Sequence, residues 1–157
     1  MTAADLLPHR YPMLLVDKVL DLVDGREVTA VKAISVNEPW YARAGAGAAE
    51  ARFAYPQLLL VESFAQTAGI LGTTVGLGGT SETGQVTLIG SVSDARFHRD
   101  VFPGDVVTHR VRVEKVLADA AVVSGESEAN GAPVLTVSQM VLAFRPESEL
   151  APGGESR

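Results

Sequence analysis

Cysteine is absent from the 157 residues. That excludes disulfides, thiolate metal sites and a cysteine nucleophile. Histidine is scarce: the three residues, at positions 9, 98 and 109, are too scattered to suggest a zinc cluster, so no metal is expected. Positive charge is in deficit, with 13 Lys and Arg against 19 Asp and Glu and a net charge of −6. Nucleic-acid binding needs a basic face for the phosphates, and this chain does not offer one. The first residues, Met-Thr-Ala-Ala-Asp-Leu-Leu-Pro, lack the basic stretch and apolar run of a secretory leader. No membrane span is expected either. The most apolar stretch, residues 58–75, carries Glu62, Gln66, four serine or threonine residues and two glycines. A carboxylate at a bilayer centre is heavily penalised, so this stretch reads as a helix buried in protein, and cytoplasm is the expected setting.

What is plentiful is apolar residues, at 46% and spread along the chain, which excludes a disordered polypeptide. The length suits one compact domain, expected over residues 1–146 with a polar, Pro/Gly-rich flexible tail at 147–157. After a short segment broken by Pro8 and Pro12, residues 13–23 and 26–36 flank Asp24-Gly25 and read as a β-hairpin that ends at Asn37-Glu38-Pro39. Residues 42–51 form a loop of small side chains with almost no chemistry. Pro56 suits the first position of a helix, and from Gln57 to about residue 75 the pattern is apolar nearly all round, the mark of a central helix. Its stripe of Ala65, Gly69, Gly72 and Gly76 would let a sheet approach closely.

Residues 76–84 read as a loop, and the remainder is β-rich. Residues 85–99 are one extended run, and Val107, His109, Val111 and Val113 alternate with polar neighbours in a half-buried strand. Residues 120–129 and 134–144 flank Asn130-Gly131, a strong hairpin signal. A short helix, a hairpin, one buried helix and a four-strand meander predict an α+β fold, with an antiparallel sheet curled around the helix. Such a sheet has edges, and pairing with a second copy is a common way to hide them, so a dimer is expected.

Glu62 is the most unusual residue, a carboxyl in the second turn of an apolar helix, with Gln66 on the same face four residues later. An apolar site raises a carboxyl pKa and suits it to general-acid work near neutrality; the alternative is a structural Glu with an Arg or backbone partner. The helix start near Gln57 and Leu58 offers free N–H groups able to polarise a carbonyl, as every helix start does. His9, between two prolines, reads as structural and hydrogen-bonded to the backbone. His109 falls on the apolar register of its strand and reads as a satisfied core histidine. Arg96-Phe97-His98-Arg99 is a local basic cluster on an acidic protein, either a solvated face or a contact for an acidic partner.

These motifs, taken in order, resemble one family. Leu7-Pro8-His9-Arg10-Tyr11-Pro12-Met13-Leu14-Leu15-Val16-Asp17 is similar to the N-terminal signature of the hotdog-fold 3-hydroxyacyl-[acyl-carrier-protein] dehydratases of type II fatty acid synthesis. So are Asn37-Glu38-Pro39-Trp40-Tyr41, the helix start from Tyr55-Pro56-Gln57-Leu58 to Glu62 and Gln66, and Arg96-Phe97-His98-Arg99 followed by Pro103-Gly104-Asp105. The resemblance spans about residues 5–145. It implies a sheet wrapping one long helix and a dimer. It also implies a mechanism in which a histidine of one subunit takes the α-proton while the other subunit's helix carboxyl protonates the leaving hydroxyl. Glu62 matches that carboxyl and Gln66 the glutamine one turn later. Pro56, Gln57, Leu58 and Phe97 are the implied substrate contacts, although the family has glycine where Gln57 stands. No cofactor is implied; the substrate rides on the phosphopantetheine arm of an acyl carrier protein, for which Arg96, His98 and Arg99, with Arg52 beside the helix start, are the docking candidates.

One part of the resemblance fails. The family histidine lies between the Asn-Glu-Pro motif and the helix, and here no histidine occurs between His9 and His98. Aligning forward from Asn37 places it at Ala44, and backward from Glu62 at Ala48, because this loop is four residues longer than the family's. Three readings stay open. The chain is the Glu-donating subunit of a heterodimeric dehydratase in fatty acid or polyketide-type biosynthesis, the reading favoured by the retained Glu62 and Gln66. Alternatively it is a homodimeric acyl thioesterase with Glu62 as base, or a non-catalytic scaffold that binds acyl chains or carrier protein.

Overall fold

Six runs of alternating or β-branched residues form the strands: β1 (Lys18–Val23), β2 (Glu27–Ala33), β3 (Gln85–Phe97), β4 (Val106–Val116), β5 (Ala120–Ala129) and β6 (Ala132–Pro146). Helix α1 (Gln57–Thr74) stands between β2 and β3, and a single helical turn, α2 (Glu147–Leu150), follows β6. The computed structural model describes residues 2–42, 49–74 and 84–150. All six strands join one antiparallel sheet in the order β1-β2-β4-β5-β6-β3.

The sheet's period-2 pattern puts Val28, Ala30 and Lys32 of β2 and Val107, His109 and Val111 of β4 on the inner face, each buried. Helix α1 lies against that face and packs on β2 and β4 most of all, so the sheet bends around it. Phe64, Ala68, Ile70 and Leu71 of the helix are fully buried in this core. At its C-terminal end, the Thr74 hydroxyl accepts the Gly25 N–H at 3.0 Å and ties the helix to the β1–β2 turn.

Three of the local expectations change. Strand β1 begins at Lys18 rather than near residue 13, because the backbone of 13–15 gives its hydrogen bonds to the Gln66 side chain instead of a neighbouring strand. The last four strands are not a simple meander: β4, β5 and β6 follow one another, but β3 pairs with β6 at the far edge and β4 pairs with β2. The reason lies in the Pro103-Gly104-Asp105 turn. Gly104 N–H bonds the Ile34 carbonyl and Ile34 N–H bonds the Asp105 carbonyl, both at 2.9 Å, which delivers β4 beside β2. The small-residue stripe also divides. A Cβ at Gly72 would stand 3.3 Å from Phe144, so that glycine does admit the sheet. Gly69 faces Leu7 of the N-terminal segment instead, and Gly76 lies outside the described residues.

The two hairpin signals hold. Asn130 and Gly131 adopt φ of 53° and 72°, the paired left-handed geometry that matches strand twist. At Gly125 the ladder leaves no room for a side chain, since a Cβ would sit 2.1 Å from the Arg110 carbonyl oxygen. The Asn37-Glu38-Pro39 turn is anchored from below: Lys32, buried on the inner face, pairs with Glu38 at 3.0 Å, and Glu38 also accepts the Ser35 N–H.

Strand β3 is the exception to the burial pattern. It runs 13 residues along the sheet edge, with exposed side chains along most of its length, including Leu88, Ile89 and Val92. A long apolar edge of this kind is a pairing surface left open within one chain.

Candidate active site

The i, i+4 spacing on α1 brings Glu62 and Gln66 together as the sequence indicates. The Gln66 amide is fixed by its contacts. Its Oε1 accepts the Leu15 N–H at 2.9 Å, so its Nε2 points the other way and donates to the Met13 carbonyl at 2.7 Å and to Glu62 Oε1 at 2.9 Å. Gln66 is buried and carries no spare donor. The consequence for Glu62 is chemical. Oε1 must be an acceptor, so a proton on this carboxyl resides on Oε2, which has no hydrogen-bond partner among the described residues.

Behind this pair runs a second buried network. Ser63 Oγ donates to the Leu15 carbonyl at 2.7 Å and therefore accepts from His109 Nε2 at 2.9 Å. Its cross-strand partner Ser127 then donates to His109 Nδ1 at 2.7 Å. The hydroxyls thus hold His109 as the neutral Nε2–H tautomer, and burial pushes its pKa down to about 3. His109 is the satisfied core histidine its strand register indicates. Gln66 and Ser63 together clamp residues 13–15 onto α1, which fixes the direction in which the preceding segment runs.

That segment carries His9 to the carboxyl. His9 Nε2 stands 3.8 Å from Glu62 Oε1, with the two side chains 36% and 29% exposed. Arg10 shapes the bend by donating from Nη1 to the carbonyls of Leu7 and His9 at 2.8 and 2.6 Å. The expectation that His9 bonds the backbone is not met: Nδ1 is buried without a partner among the described residues, and the other ring nitrogen faces Glu62. Sequence reasoning missed this contact because two prolines, not a strand or helix period, set the path of the segment.

His9, Glu62 and Gln66 line a groove of about 660 Å³. Its walls continue along Ala65 and Gly69 of α1 toward Leu88 of β3, an apolar path suited in size to a small-molecule chain. The other expected site residues lie apart from it. Gln57 and Leu58 are exposed in the first turn of α1, Leu58 at 82%, and Pro56 precedes them. Phe97, at the far end of β3, packs its ring against the core. Arg96 pairs with Asp94 at 3.2 Å, His98 Nε2 meets the Thr136 hydroxyl at 2.8 Å, and Arg99 donates to the Ala129 carbonyl at 2.6 Å; all three remain exposed. Ala44 and Ala48 fall outside the described residues. No group of three or more His, Cys, Asp and Glu able to hold a metal occurs among the described residues, and no helix there is long and apolar enough to cross a membrane.

Comparison with known proteins fits this architecture. The profile of the FabA-like domain matches residues 7–138. The chain belongs to that family. It is 38% identical over 142 residues to the 3-hydroxyacyl-[acyl-carrier-protein] dehydratase FabZ of Cronobacter sakazakii, spanning 90% of this chain and 89% of that protein. The FabZ of Yersinia enterocolitica is 34% identical over 151 residues, with 96% and 86% covered. Among solved structures, the dehydratase heterocomplex ApeI:P from Xenorhabdus doucetiae matches with a TM-score of 0.77 at 17% identity, covering 96% of this chain and 95% of that one. A hypothetical thioesterase protein from Streptococcus pneumoniae, solved with coenzyme A, matches at 0.62 and 12% identity, covering 82% and 88%. At such identities the two structures speak for the fold alone, which is the hotdog. This FabA-like chain is dehydratase-like.

Proposed function

We propose that this FabA-like chain is the Glu62-donating subunit of a heterodimeric dehydratase. It removes water from 3-hydroxyacyl thioesters carried by an acyl carrier protein, in cytoplasmic fatty acid or polyketide-type biosynthesis. Elimination breaks the α C–H and the β C–O bonds and forms the double bond between them. A base takes the α-proton, and hydroxide, a poor leaving group, departs as water only if an acid protonates it. The observation that carries the reading is the Glu62–Gln66 pair: the amide engages Oε1 and leaves Oε2 to hold the proton that goes to the hydroxyl. Residues 42–52, where the family's base would stand, contain no histidine, and His9 in this groove faces the carboxyl itself, so the base is assigned to the partner.

The open β3 edge supports a partner. Two sheets joined through β3 about a two-fold axis run antiparallel, so the Arg96–Arg99 end of one strand lies toward the Gln85–Ile89 end of the other, where the groove opens. A carrier protein docked on the cluster of Arg96, His98 and Arg99 is then placed to thread its arm toward the second subunit's groove. The structural neighbour described as a dehydratase heterocomplex supports pairing between unlike hotdog chains. The reading is tested by assaying the purified chain, a histidine-bearing hotdog partner and their mixture on a 3-hydroxyacyl thioester. Water loss only in the mixture is expected. Full activity of this chain alone contradicts the reading, and release of free acid instead of enoyl product replaces it with a thioesterase.

A further inference from the structure

We propose that His9 is the second hydrogen-bond donor to the Glu62 carboxyl and stabilises the carboxylate that forms as Glu62 gives up its proton. This rests on the dehydratase reading and adds a positioning residue to it, acting through Glu62 rather than on substrate.

Two observations carry the proposal. Nε2 of His9 faces Glu62 Oε1 at 3.8 Å, on the oxygen already engaged by Gln66, and a movement of about 1 Å in either side chain brings it to hydrogen-bond length. His9 Nδ1 is buried and unpartnered among the described residues. A bare ring nitrogen costs less to bury than an unsatisfied N–H, so the proton of the neutral ring resides on Nε2, the nitrogen that faces the carboxyl. His109 gives the contrast: both of its nitrogens are held by serine hydroxyls, and it has nothing left to offer.

The chemistry follows from where charge appears. As the β C–O bond breaks, the proton on Glu62 Oε2 passes to the departing oxygen and the bonding pair stays on the carboxylate. Gln66 already donates to Oε1, and His9 adds a second donor to the same atom as the charge grows. A donor that tightens onto developing charge speeds the step more than it tightens substrate binding. The other charged groups that line this groove are Asp5 and Arg10 on the N-terminal segment and Glu147 after β6. Arg10 is committed to backbone carbonyls, which leaves His9 as the donor to Glu62 from this segment.

The test uses the complex with the histidine-bearing partner and two isosteres. In His9→Gln the amide nitrogen takes the place of Nε2; in His9→Asn it takes the place of Nδ1. With a 3-hydroxyacyl thioester, His9→Asn is expected to lower kcat about 10- to 100-fold with KM little changed, and His9→Gln to recover most of the loss. With a 3-chloroacyl thioester, whose chloride leaves without a proton, His9→Asn is expected to match the unsubstituted complex. Equal losses on both substrates, or no recovery in His9→Gln, overturn the proposal in favour of a purely structural His9. Failure of the dehydratase reading registers separately, as no water loss in the unsubstituted complex. The pair is then read in the purified chain by NMR of its three histidine rings. Glu62→Gln is expected to move the His9 signals and leave those of His98 in place, and unmoved His9 signals overturn the contact itself.

Discussion

Gln66 donates to Glu62 Oε1 at 2.9 Å while its own Oε1 accepts the Leu15 N–H at the same distance. One amide therefore does two things: it aims the carboxyl and clamps the segment that leads back to His9. Gln66→Met keeps the volume and removes both. It strands a backbone N–H at Leu15, at a cost of about 1–3 kcal/mol. A fall in thermal midpoint together with loss of dehydratase activity in the complex is expected; lost activity at unchanged stability would show that the clamp is not needed.

The fixed neutral state of His109 makes stability depend on pH. The folded chain keeps His109 neutral down to about pH 3, whereas the unfolded chain protonates it near 6.5, so the unfolded state holds the extra proton in between. Stability is fully present above about pH 6.5 and falls as pH drops toward 3, with the folding equilibrium losing roughly tenfold per unit. Glu114, held low by Ser124 and Arg112, and Glu128, held low by Arg110, add their losses only below their usual 4.5, so the window above that isolates the histidine. Chemical denaturation between pH 7 and 5 checks this, and His109→Gln is expected to flatten the slope.

Lys32 and Glu38 form an ion pair with side chains only 7% and 11% exposed. Lys32→Met leaves Glu38 charged and unpaired in that place, at a cost of about 3–5 kcal/mol. The double change Lys32→Met with Glu38→Gln is expected to recover much of it. Equal stability of the single and double variants, measured by denaturant titration, would assign the loss to packing rather than charge.

The β3 edge is expected to carry the subunit interface. Val92→Lys sets a charge on an exposed apolar position of that strand and should shift light scattering from dimer to monomer without unfolding the sheet. Arg96, 71% exposed and paired only with Asp94 among the described residues, is the cleanest probe of carrier docking. Arg96→Glu is expected to weaken carrier-protein binding, with the difference shrinking at high salt.

The sequence carried some of this more clearly than the rest. The period-2 run from Val107 to Val113 told the true inner face of β4, and with it the burial of His109. The i, i+4 spacing told that Glu62 and Gln66 share a face, because both signals are local. The pairing of β4 with β2 was not legible, since it depends on hydrogen bonds between Ile34 and the turn at 104–105, some seventy residues apart. Nor was the end of the strand pattern before Lys18, where a side chain replaces the neighbouring strand as partner. His9 was hidden for the same reason: its position follows from the clamp on residues 13–15 by Gln66 and Ser63, contacts 48 to 53 residues distant.

The central claim is that this chain supplies the acid and its partner the base. The most direct measurement is a crossed pair of variants in the reconstituted complex. Glu62→Gln in this chain keeps the shape, removes the proton donor, and is expected to lower water loss from a 3-hydroxyacyl thioester by about 10²–10⁴-fold. Replacing the partner's own helix carboxyl by the amide is expected to leave the rate nearly intact. The reverse result, full activity with Glu62→Gln and collapse with the partner's substitution, would contradict the account and leave Glu62 a structural residue.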